Sequence, residues 1–170
     1  MSSDAELSRL AERVGHRLLA TRRRLVTAES CTGGWIAKVL TDIPGSSQWL
    51  ECGYVTYSNA AKVRDLGVSP VTLERDGAVS EATVREMVVG ALRVSGADVA
   101  VAVSGIAGPS GGTPAKPVGT VWFAVGRREA DGTAIQACVE VFGGDRESVR
   151  RASVARALQL VLQLDGAVGS

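Results

Sequence analysis

A glycine-rich turn near the N-terminus carries three side chains that could act as nucleophiles. Ser30, Cys31 and Thr32 follow a short apolar segment and precede Gly33 and Gly34. A turn between a strand and a helix displays a nucleophile well, and the unpaired N–H groups at the start of a helix favour a phosphate or a developing oxyanion. A plain helix N-cap is nevertheless the commoner use of Ser or Thr at such a position.

The sequence offers few partners for a nucleophile. His16 is the only histidine, so a multi-histidine zinc site is excluded and a Ser-His-Asp triad would depend on that one residue. A cysteine protease-like site also needs a histidine, and Cys31 is therefore expected to be a small buried residue rather than the nucleophile. A general base in this chain is expected to be Lys, Asp, Glu or Tyr.

A lysine and a tyrosine lie in the segment after the second predicted strand. Tyr57 ends that strand, Ser58 and Asn59 can cap a short helix, and Lys62 lies about one turn into it. A lysine acts as a base when burial or a nearby cation lowers its pKa from about 10.4 toward about 7–8, and a tyrosine hydroxyl could relay the proton. A lysine on a short helix is more commonly a surface residue.

Two further loops could bind an anion. The Gly- and Pro-rich segment 104–112 starts with Ser104 and Gly105, and its successive N–H groups could hold a phosphate, although it matches no standard nucleotide-binding motif and could be a flexible surface loop. Asp145 is expected to cap the last helix. Arg146 then lies in the first turn, where a cation opposes the helix dipole, which indicates either a bound anion or a surface ion pair.

The predicted elements bring these segments to one edge of a sheet. Helices are expected over about residues 4–20, and after residues 34, 58, 69, 80 and 145. Strands are expected over 25–28, 53–57, 98–103, 120–125 and 134–142, with Asp131 and Gly132 in a hairpin turn. This order predicts an α/β fold, a three-layer α/β/α domain with a mixed sheet of about five to six strands. Ligands bind beyond the carboxyl ends of the strands in such sheets.

Composition indicates one soluble globular domain spanning residues 1–170. The 19 Lys and Arg nearly balance 18 Asp and Glu, and aromatic residues make up 4%, which argues against a nucleic-acid partner. There is no apolar run long enough for a membrane span and no secretory signal. Three widely spaced cysteines favour a reducing, cytoplasmic compartment. Residues 165–170 are expected to be frayed.

Five motifs in order along the chain resemble the C-terminal domain of the CinA family of competence/damage-inducible proteins. They are TAESCTGG at 27–34, GYVTYSN at 53–59, GAVS at 77–80, SGIAGP at 104–109 and KPVGTV at 116–121. The resemblance extends from the first predicted helix to the last. It implies a nicotinamide-nucleotide amidohydrolase, which converts nicotinamide mononucleotide to nicotinic acid mononucleotide and ammonia in pyridine nucleotide (NAD) recycling.

With this resemblance, we expect Ser30 to be the nucleophile and Lys62, assisted by Tyr57, to be the base. Thr32 is the alternative nucleophile, and direct attack by a water molecule that Lys62 activates is also open. The expected substrate contacts are Thr32, Gly33, Gly34, Asn59, Ser104, Gly105 and Arg146, and no metal or organic cofactor is expected. A non-catalytic pyridine-nucleotide sensor and a competence- or DNA-damage-associated factor are the alternative functions, and the near-zero charge argues against the second.

Larger family members carry an additional N-terminal domain that resembles molybdopterin-binding proteins. This chain has no room for it and is expected to be the stand-alone form. A homo-oligomer is expected if Trp35, Trp49 or Leu160 is exposed.

Overall fold

A single β-sheet lies between two layers of helices in the computed structural model, which describes residues 2–164. The helices are α1 (Asp4–Thr21), α2 (Trp35–Thr41), α3 (Asn59–Leu66), α4 (Pro70–Asp76), α5 (Glu81–Ser95) and α6 (Arg146–Leu164). The strands are β1 (Leu25–Glu29), β2 (Leu50–Val55), β3 (Val99–Gly105), β4 (Thr120–Glu129) and β5 (Gly132–Val141). The tail 165–170, which we expected to be frayed, lies outside the described residues.

The sheet combines parallel and antiparallel pairs in the order β2-β1-β3-β4-β5. β1 pairs in parallel with both β2 and β3, whereas β4 pairs antiparallel with β3 and with β5. The carboxyl ends of β1, β2 and β3 therefore meet at one edge, where β4 also begins and β5 ends. The predicted three-layer α/β fold with a mixed sheet is confirmed.

The two faces of the sheet differ in the size of their side chains. β3 directs valines toward α1, α2 and α6 and alanines toward α5, namely Val99, Val101 and Val103 against Ala100 and Ala102. The small side chains on the second face let α5 pack close to the sheet. α3 in turn lies against α5 at Gly90, where a Cβ atom would overlap the carbonyl oxygen of Leu66. This close packing fixes α3, which carries Lys62, beside the sheet edge.

Local capping explains where most helices begin. The hydroxyl oxygens of Ser58 and Ser80 accept hydrogen bonds from backbone N–H groups one turn into α3 and α5, and Asp145 Oδ1 accepts from the N–H of Ser148. These predicted caps are confirmed. α2 differs, because its N-cap position is Gly34, which has no side chain to act as a cap. The interpretation of Ser30 or Thr32 as a plain N-cap of α2 is therefore wrong.

Several strand boundaries differ from those expected, most of all those of β2 and of the β4–β5 hairpin. β2 ends at Val55, so Tyr57 lies two residues beyond the strand instead of ending it. β4 and β5 extend past Val125 as a long hairpin, and Gly132 belongs to β5 rather than to the turn. The polar side chains of this extension are partly exposed, so the hydrophobic pattern stops before the backbone pairing does.

The aromatic and leucine side chains offered as interface candidates are mostly internal. Trp49 is 2% exposed and Leu160 is 8% exposed, so both belong to the core. Trp35 is half-buried. The expectation of an oligomer from exposed Trp49 or Leu160 is therefore not supported. Among residues 2–164, no helix is both long and apolar enough to cross a bilayer.

Candidate functional site

β1 and α3 bring Ser30 and Lys62 into contact at the carboxyl edge of the sheet. Ser30 directly follows β1, and Lys62 lies in the first turn of α3. Lys62 Nζ lies 2.9 Å from Ser30 Oγ and 2.8 Å from the carbonyl oxygen of Thr56. The lysine is 1% exposed, and no carboxylate within the described part of the chain pairs with it. Lys62 is therefore a buried group aimed at Ser30, and the surface-lysine interpretation is wrong.

Burial changes the proton affinity of Lys62. Removal of the ammonium group from water lowers the pKa of Lys62 from 10.5 to about 8, because the low-dielectric surroundings disfavour its charged form. Lys62 is then neutral in about a tenth of the protein molecules at pH 7. A neutral amine can donate a hydrogen bond to the Thr56 carbonyl while it accepts the proton of the Ser30 hydroxyl. The pair is thus arranged for general-base activation of a serine.

A carboxylate of the chain itself occupies the N-terminus of α2. Glu29, the last residue of β1, is fully buried, and its oxygens accept hydrogen bonds from the N–H groups of Gly34 at 3.0 Å, Ile36 at 3.0 Å and Ala37 at 2.8 Å. The Thr27 hydroxyl donates a fourth hydrogen bond at 3.3 Å. The carboxylate therefore satisfies the orphan donors and the dipole of this helix.

The predicted anion site at the start of α2 is consequently filled. The N–H of Gly34 is bound to Glu29, and the N–H of Gly33 donates to the Ser30 carbonyl at 3.0 Å. Neither glycine N–H is available for a substrate oxygen. The sequence analysis did not single out Glu29. An acidic residue at the end of an apolar strand was nevertheless a signal, because a buried carboxylate needs hydrogen-bond donors close to it.

Two N–H groups in the turn remain without an acceptor. Within residues 2–164, those of Cys31 and Thr32 donate to no carbonyl oxygen and to no side chain of another residue, whereas the next amides along the chain are paired. They belong to the two residues that directly follow Ser30. Unpaired backbone donors beside a nucleophile can stabilise the oxyanion of a tetrahedral intermediate.

Arg150, on α6, holds the other side of the same turn. Its Nε donates to the carbonyl oxygen of Cys31 at 3.1 Å, and its Nη2 donates to that of Thr32 at 2.9 Å. The guanidinium carbon lies 5.3 Å from the centroid of the Trp35 ring, in a cation–π arrangement. Sequence reasoning did not single out Arg150, because nothing local in the sequence of α6 distinguishes it from the neighbouring arginines.

Arg146 joins Tyr57 to the loop after β3. Its Nη2 donates to the Tyr57 hydroxyl at 2.9 Å, and its Nη1 donates to the carbonyl oxygen of Gly108 at 2.8 Å. Tyr57 is 59% exposed, and its hydroxyl contacts neither Ser30 nor Lys62. The structure therefore shows no hydrogen bond through which Tyr57 could pass a proton to Lys62, as the expected relay requires. Within the described residues Arg146 forms no ion pair, so the alternative expectation of a surface ion pair is not supported.

Three other residues expected to contact substrate have different surroundings. Ser104 is 1% exposed and donates its hydroxyl hydrogen to the Ala78 carbonyl at 2.7 Å, so it fastens the segment before α5. Gly105 ends β3, where a Cβ atom would lie 2.7 Å from a side-chain atom of Val121. Asn59 is exposed at the first position of α3. The side chain of Ser104 thus serves the fold, whereas that of Asn59 faces solvent beside the site.

The two alternative nucleophiles differ from Ser30. Thr32 is fully buried, and its Oγ1 has no hydrogen-bond partner within residues 2–164, so no base contacts it. Cys31 is 6% exposed, and burial raises the pKa of its thiol to about 11, which keeps it protonated. The prediction that Cys31 is a small buried residue is confirmed.

An open groove of about 650 Å³ lies beside the turn. Its lining residues are Gly33, Gly34, Trp35, Lys38, Arg146, Glu147 and Arg150. The lining contains three cationic side chains and one carboxylate, and this excess of positive charge suits an anionic ligand. Within residues 2–164, no cluster of three His, Cys, Asp or Glu residues could hold a metal ion.

Comparison with known proteins identifies close relatives. The family model described as the CinA C-terminal domain matches residues 7–164. The nicotinamide-nucleotide amidohydrolase PncC of Escherichia coli K12 is 54% identical over 161 residues, which cover 95% of this chain and 96% of that protein. The protein of the same name from Pseudomonas putida is 54% identical over 158 residues, covering 93% and 96% of the two chains.

Solved structures share the fold. The competence/damage inducible protein CihA from Agrobacterium tumefaciens superposes with a TM-score of 0.90 at 43% identity, covering 94% of this chain and 96% of that one. The competence damage-inducible protein A (ComA) from Klebsiella pneumoniae superposes with a TM-score of 0.90 at 40% identity, covering 96% and 99%.

Proposed function

The chain belongs to the CinA C-terminal domain family, and from this membership we propose that it is an amidohydrolase that cleaves the carboxamide of a nicotinamide nucleotide. The proposed substrate is nicotinamide mononucleotide, and the products are nicotinic acid mononucleotide and ammonia. The observation that carries the proposal in this chain is the 2.9 Å contact between buried Lys62 Nζ and Ser30 Oγ. A Ser–Lys pair of this kind supports acyl transfer without a histidine.

In the proposed first half-reaction, Ser30 forms an ester with the substrate. Neutral Lys62 takes the hydroxyl proton while Oγ bonds to the carboxamide carbon, and the electron pair of the C=O π bond moves to oxygen. The N–H groups of Cys31 and Thr32 donate to that oxyanion, and loss of one such donor typically costs about 3 kcal/mol of barrier. The C–N bond then breaks, and the proton on Lys62 moves to the leaving nitrogen, which departs as ammonia.

In the second half-reaction, water hydrolyses the ester. Lys62, again neutral, takes a proton from the attacking water, whose oxygen bonds to the acyl carbon. The second oxyanion uses the same two N–H groups. Its collapse breaks the bond to Ser30 Oγ, which regains the proton from Lys62, and the carboxylic acid is released. The carbonyl of Thr56 accepts a hydrogen bond from Lys62 in both charge states and keeps Nζ near Ser30.

The groove beside the turn is the proposed site for the phosphate-bearing part of the substrate. Arg146 lies between this groove and Tyr57, and Lys38 and Arg150 add two more cations to the lining. Tyr57 is exposed beside Arg146, so its proposed role is contact with the substrate rather than proton transfer. Ser30 is preferred over Thr32 as nucleophile because Ser30 Oγ is hydrogen-bonded to Lys62, whereas Thr32 Oγ1 is not. The proposed route uses no metal or organic cofactor.

The test measures ammonia release from nicotinamide mononucleotide by the wild type, Ser30→Ala, Thr32→Val and Lys62→Met. Thermal melting verifies that each variant folds. The Ser30 and Lys62 variants are expected to lose activity by about 10²–10⁴-fold or more, the usual contribution of a positioned base. The value of kcat/KM in the wild type is expected to rise about tenfold per pH unit below pH 8 and to level off above it, as the pKa of Lys62 predicts.

Mass spectrometry of acid-quenched reactions separates the two routes of attack. An acyl adduct on the peptide that contains Ser30 is expected if the serine is the nucleophile. Turnover by folded Ser30→Ala without an adduct would instead favour water activated by Lys62. Tight binding without turnover by the wild type would favour the sensor, and salt-sensitive DNA binding near physiological salt would favour the damage-associated role.

A further inference from the structure

We propose that Arg150 is a positioning residue for this reaction, because it orients the backbone donors that receive the oxyanion. The inference rests on the proposed function and adds a role for a side chain that does not touch the reacting atoms. Two of the guanidinium nitrogens of Arg150 are bonded to consecutive carbonyl oxygens of the turn after Ser30, those of Cys31 and Thr32. A residue on the last helix is thus fastened to the turn that follows the first strand.

Peptide geometry explains how this contact acts on the donors. A carbonyl and the N–H of the next residue belong to one planar trans unit and point in opposite directions. When Arg150 holds the Cys31 carbonyl, it therefore fixes the direction of the Thr32 N–H, which has no acceptor in the described structure. A cation at the carbonyl end also polarises the peptide and strengthens its N–H as a donor.

The second contact fixes the rest of the turn. The carbonyl of Thr32 shares a peptide unit with the N–H of Gly33, and that N–H donates to the Ser30 carbonyl at 3.0 Å. Arg150 therefore also supports the hydrogen bond that closes the turn on Ser30.

Glu29 holds the opposite side of the same segment. Its buried carboxylate accepts hydrogen bonds from the N–H groups of Gly34, Ile36 and Ala37. Glu29 therefore binds backbone donors of this segment, whereas Arg150 binds backbone acceptors. The N–H groups of Cys31 and Thr32, next to the nucleophile, remain without a partner in the described structure. Arg150 can stay in place without substrate because its guanidinium rests on the Trp35 ring.

The chain contains a matched control for Arg150. Arg151 is the next residue of α6 and lies over the same Trp35 ring, 5.0 Å from its centroid. Its partners are Asp4 and Glu147, and it makes no hydrogen bond to the turn. Replacement of Arg151 removes a cation and a cation–π contact, as replacement of Arg150 does, but leaves both carbonyl contacts intact.

The experiment measures kcat and KM for nicotinamide mononucleotide in the wild type, Arg150→Met, Arg150→Lys and Arg151→Met. Arg150→Met is expected to lower kcat about 10- to 100-fold, somewhat less than loss of a donor itself. KM is expected to change less than about threefold, because Nε and Nη2 of Arg150, although it lines the groove, are bonded to the turn carbonyls. Arg150→Lys can reach only one carbonyl at a time and is expected to fall between Arg150→Met and the wild type. Arg151→Met is expected to keep kcat within about twofold, since its ion-pair partners Asp4 and Glu147 lie at the surface and it makes no hydrogen bond to the turn.

Two further readouts separate positioning from a structural role. Because Arg150 acts on the donors and not on Lys62, the rise of kcat with pH is expected to keep the same midpoint in Arg150→Met. Added guanidinium is expected to restore part of kcat in Arg150→Ala, since a free cation can occupy the emptied space. The rescue and the Lys variant also keep the inference testable if Arg150→Met is poorly folded.

Three outcomes would overturn the inference. An unchanged kcat in folded Arg150→Met would mean that the turn keeps its geometry without the arginine. A large rise in KM with kcat unchanged would show that Arg150 binds substrate in the groove instead. A wild type that releases no ammonia would overturn the proposed function and this inference together, a result distinguishable from a fault in the role of Arg150 alone.

Discussion

Replacement of Lys62 by Met is expected to change stability by an amount that depends on pH. Lys62 is 1% exposed, and burial lowers its pKa to about 8 from 10.5. The unfolded chain therefore binds this proton more tightly than the folded one. At about 1.4 kcal/mol per pH unit, the buried lysine destabilises the fold by about 3 kcal/mol below pH 8. This penalty is lost as the pH rises from 8 to 10.5, where the lysine becomes neutral in both states.

A methionine fills similar space without a charge, so it removes the penalty. It also leaves the Thr56 carbonyl without its donor, which costs about 1–3 kcal/mol at every pH. The pH-independent cost cancels when two pH values are compared. The free energy of unfolding of Lys62→Met, relative to the wild type, is therefore expected to fall by about 2 kcal/mol between pH 7 and pH 10.

Urea denaturation of both proteins at the two pH values measures this difference. Lys38→Met is the matched control, because Lys38 is 66% exposed in its side chain and forms its ion pair with Asp42 on the surface of α2. Its effect on stability is expected to stay below about 1 kcal/mol at both pH values. If the wild type and Lys62→Met instead differ by the same amount at pH 7 and pH 10, burial does not lower the pKa of Lys62, and the reasoning that makes it a neutral base fails.

Three further substitutions test single contacts. Glu29→Gln turns a donor toward the N–H groups that start α2 and is expected to lower the free energy of unfolding by about 2–3 kcal/mol in urea titrations; a loss below about 1 kcal/mol would mean that the helix does not depend on this cap. Tyr57→Phe removes the hydroxyl that Arg146 contacts and is expected to raise KM while kcat stays within about twofold. A tenfold fall in kcat would instead show that the hydroxyl takes part in proton transfer. Gly90→Ala forces a Cβ onto the Leu66 carbonyl and is expected to cost about 1–3 kcal/mol by thermal melting; an unchanged melting temperature would show that α3 can move away from α5 freely.

The helices and strands were predictable because their signals are local. Ser58 and Ser80 cap the next helices through hydrogen bonds that span three residues, so the sequence alone contains both partners. The apolar run from Val99 to Val103 likewise carries the mark of a strand that is covered on both faces. Strand ends were less predictable, as in the β4–β5 hairpin, because backbone pairing continues after the side chains turn polar.

The candidate site was only partly predictable. Ser30 and Lys62 each stood out at the end of a strand or the start of a helix, and the parallel pairing of β1 with β2 places those positions on one edge. Tyr57 stood out for the same reason, yet it lies two residues beyond β2 and its hydroxyl accepts a hydrogen bond from Arg146. Position along the chain indicates the edge of the sheet but not the direction of a side chain.

The sequence by itself determined the elements, their order and the nucleophile-bearing turn, since propensity, periodicity and capping act over a few residues. Only the tertiary structure decided which groups meet. Glu29 fills the helix N-terminus that the sequence assigned to a ligand, and Arg150 reaches the turn from 118 residues away. Burial at the edge of the sheet also lowers the pKa of Lys62 to about 8, so that its neutral form, which can act as a base, is populated near neutral pH. Only the tertiary structure could decide this, because a pKa depends on the solvent that surrounding elements exclude.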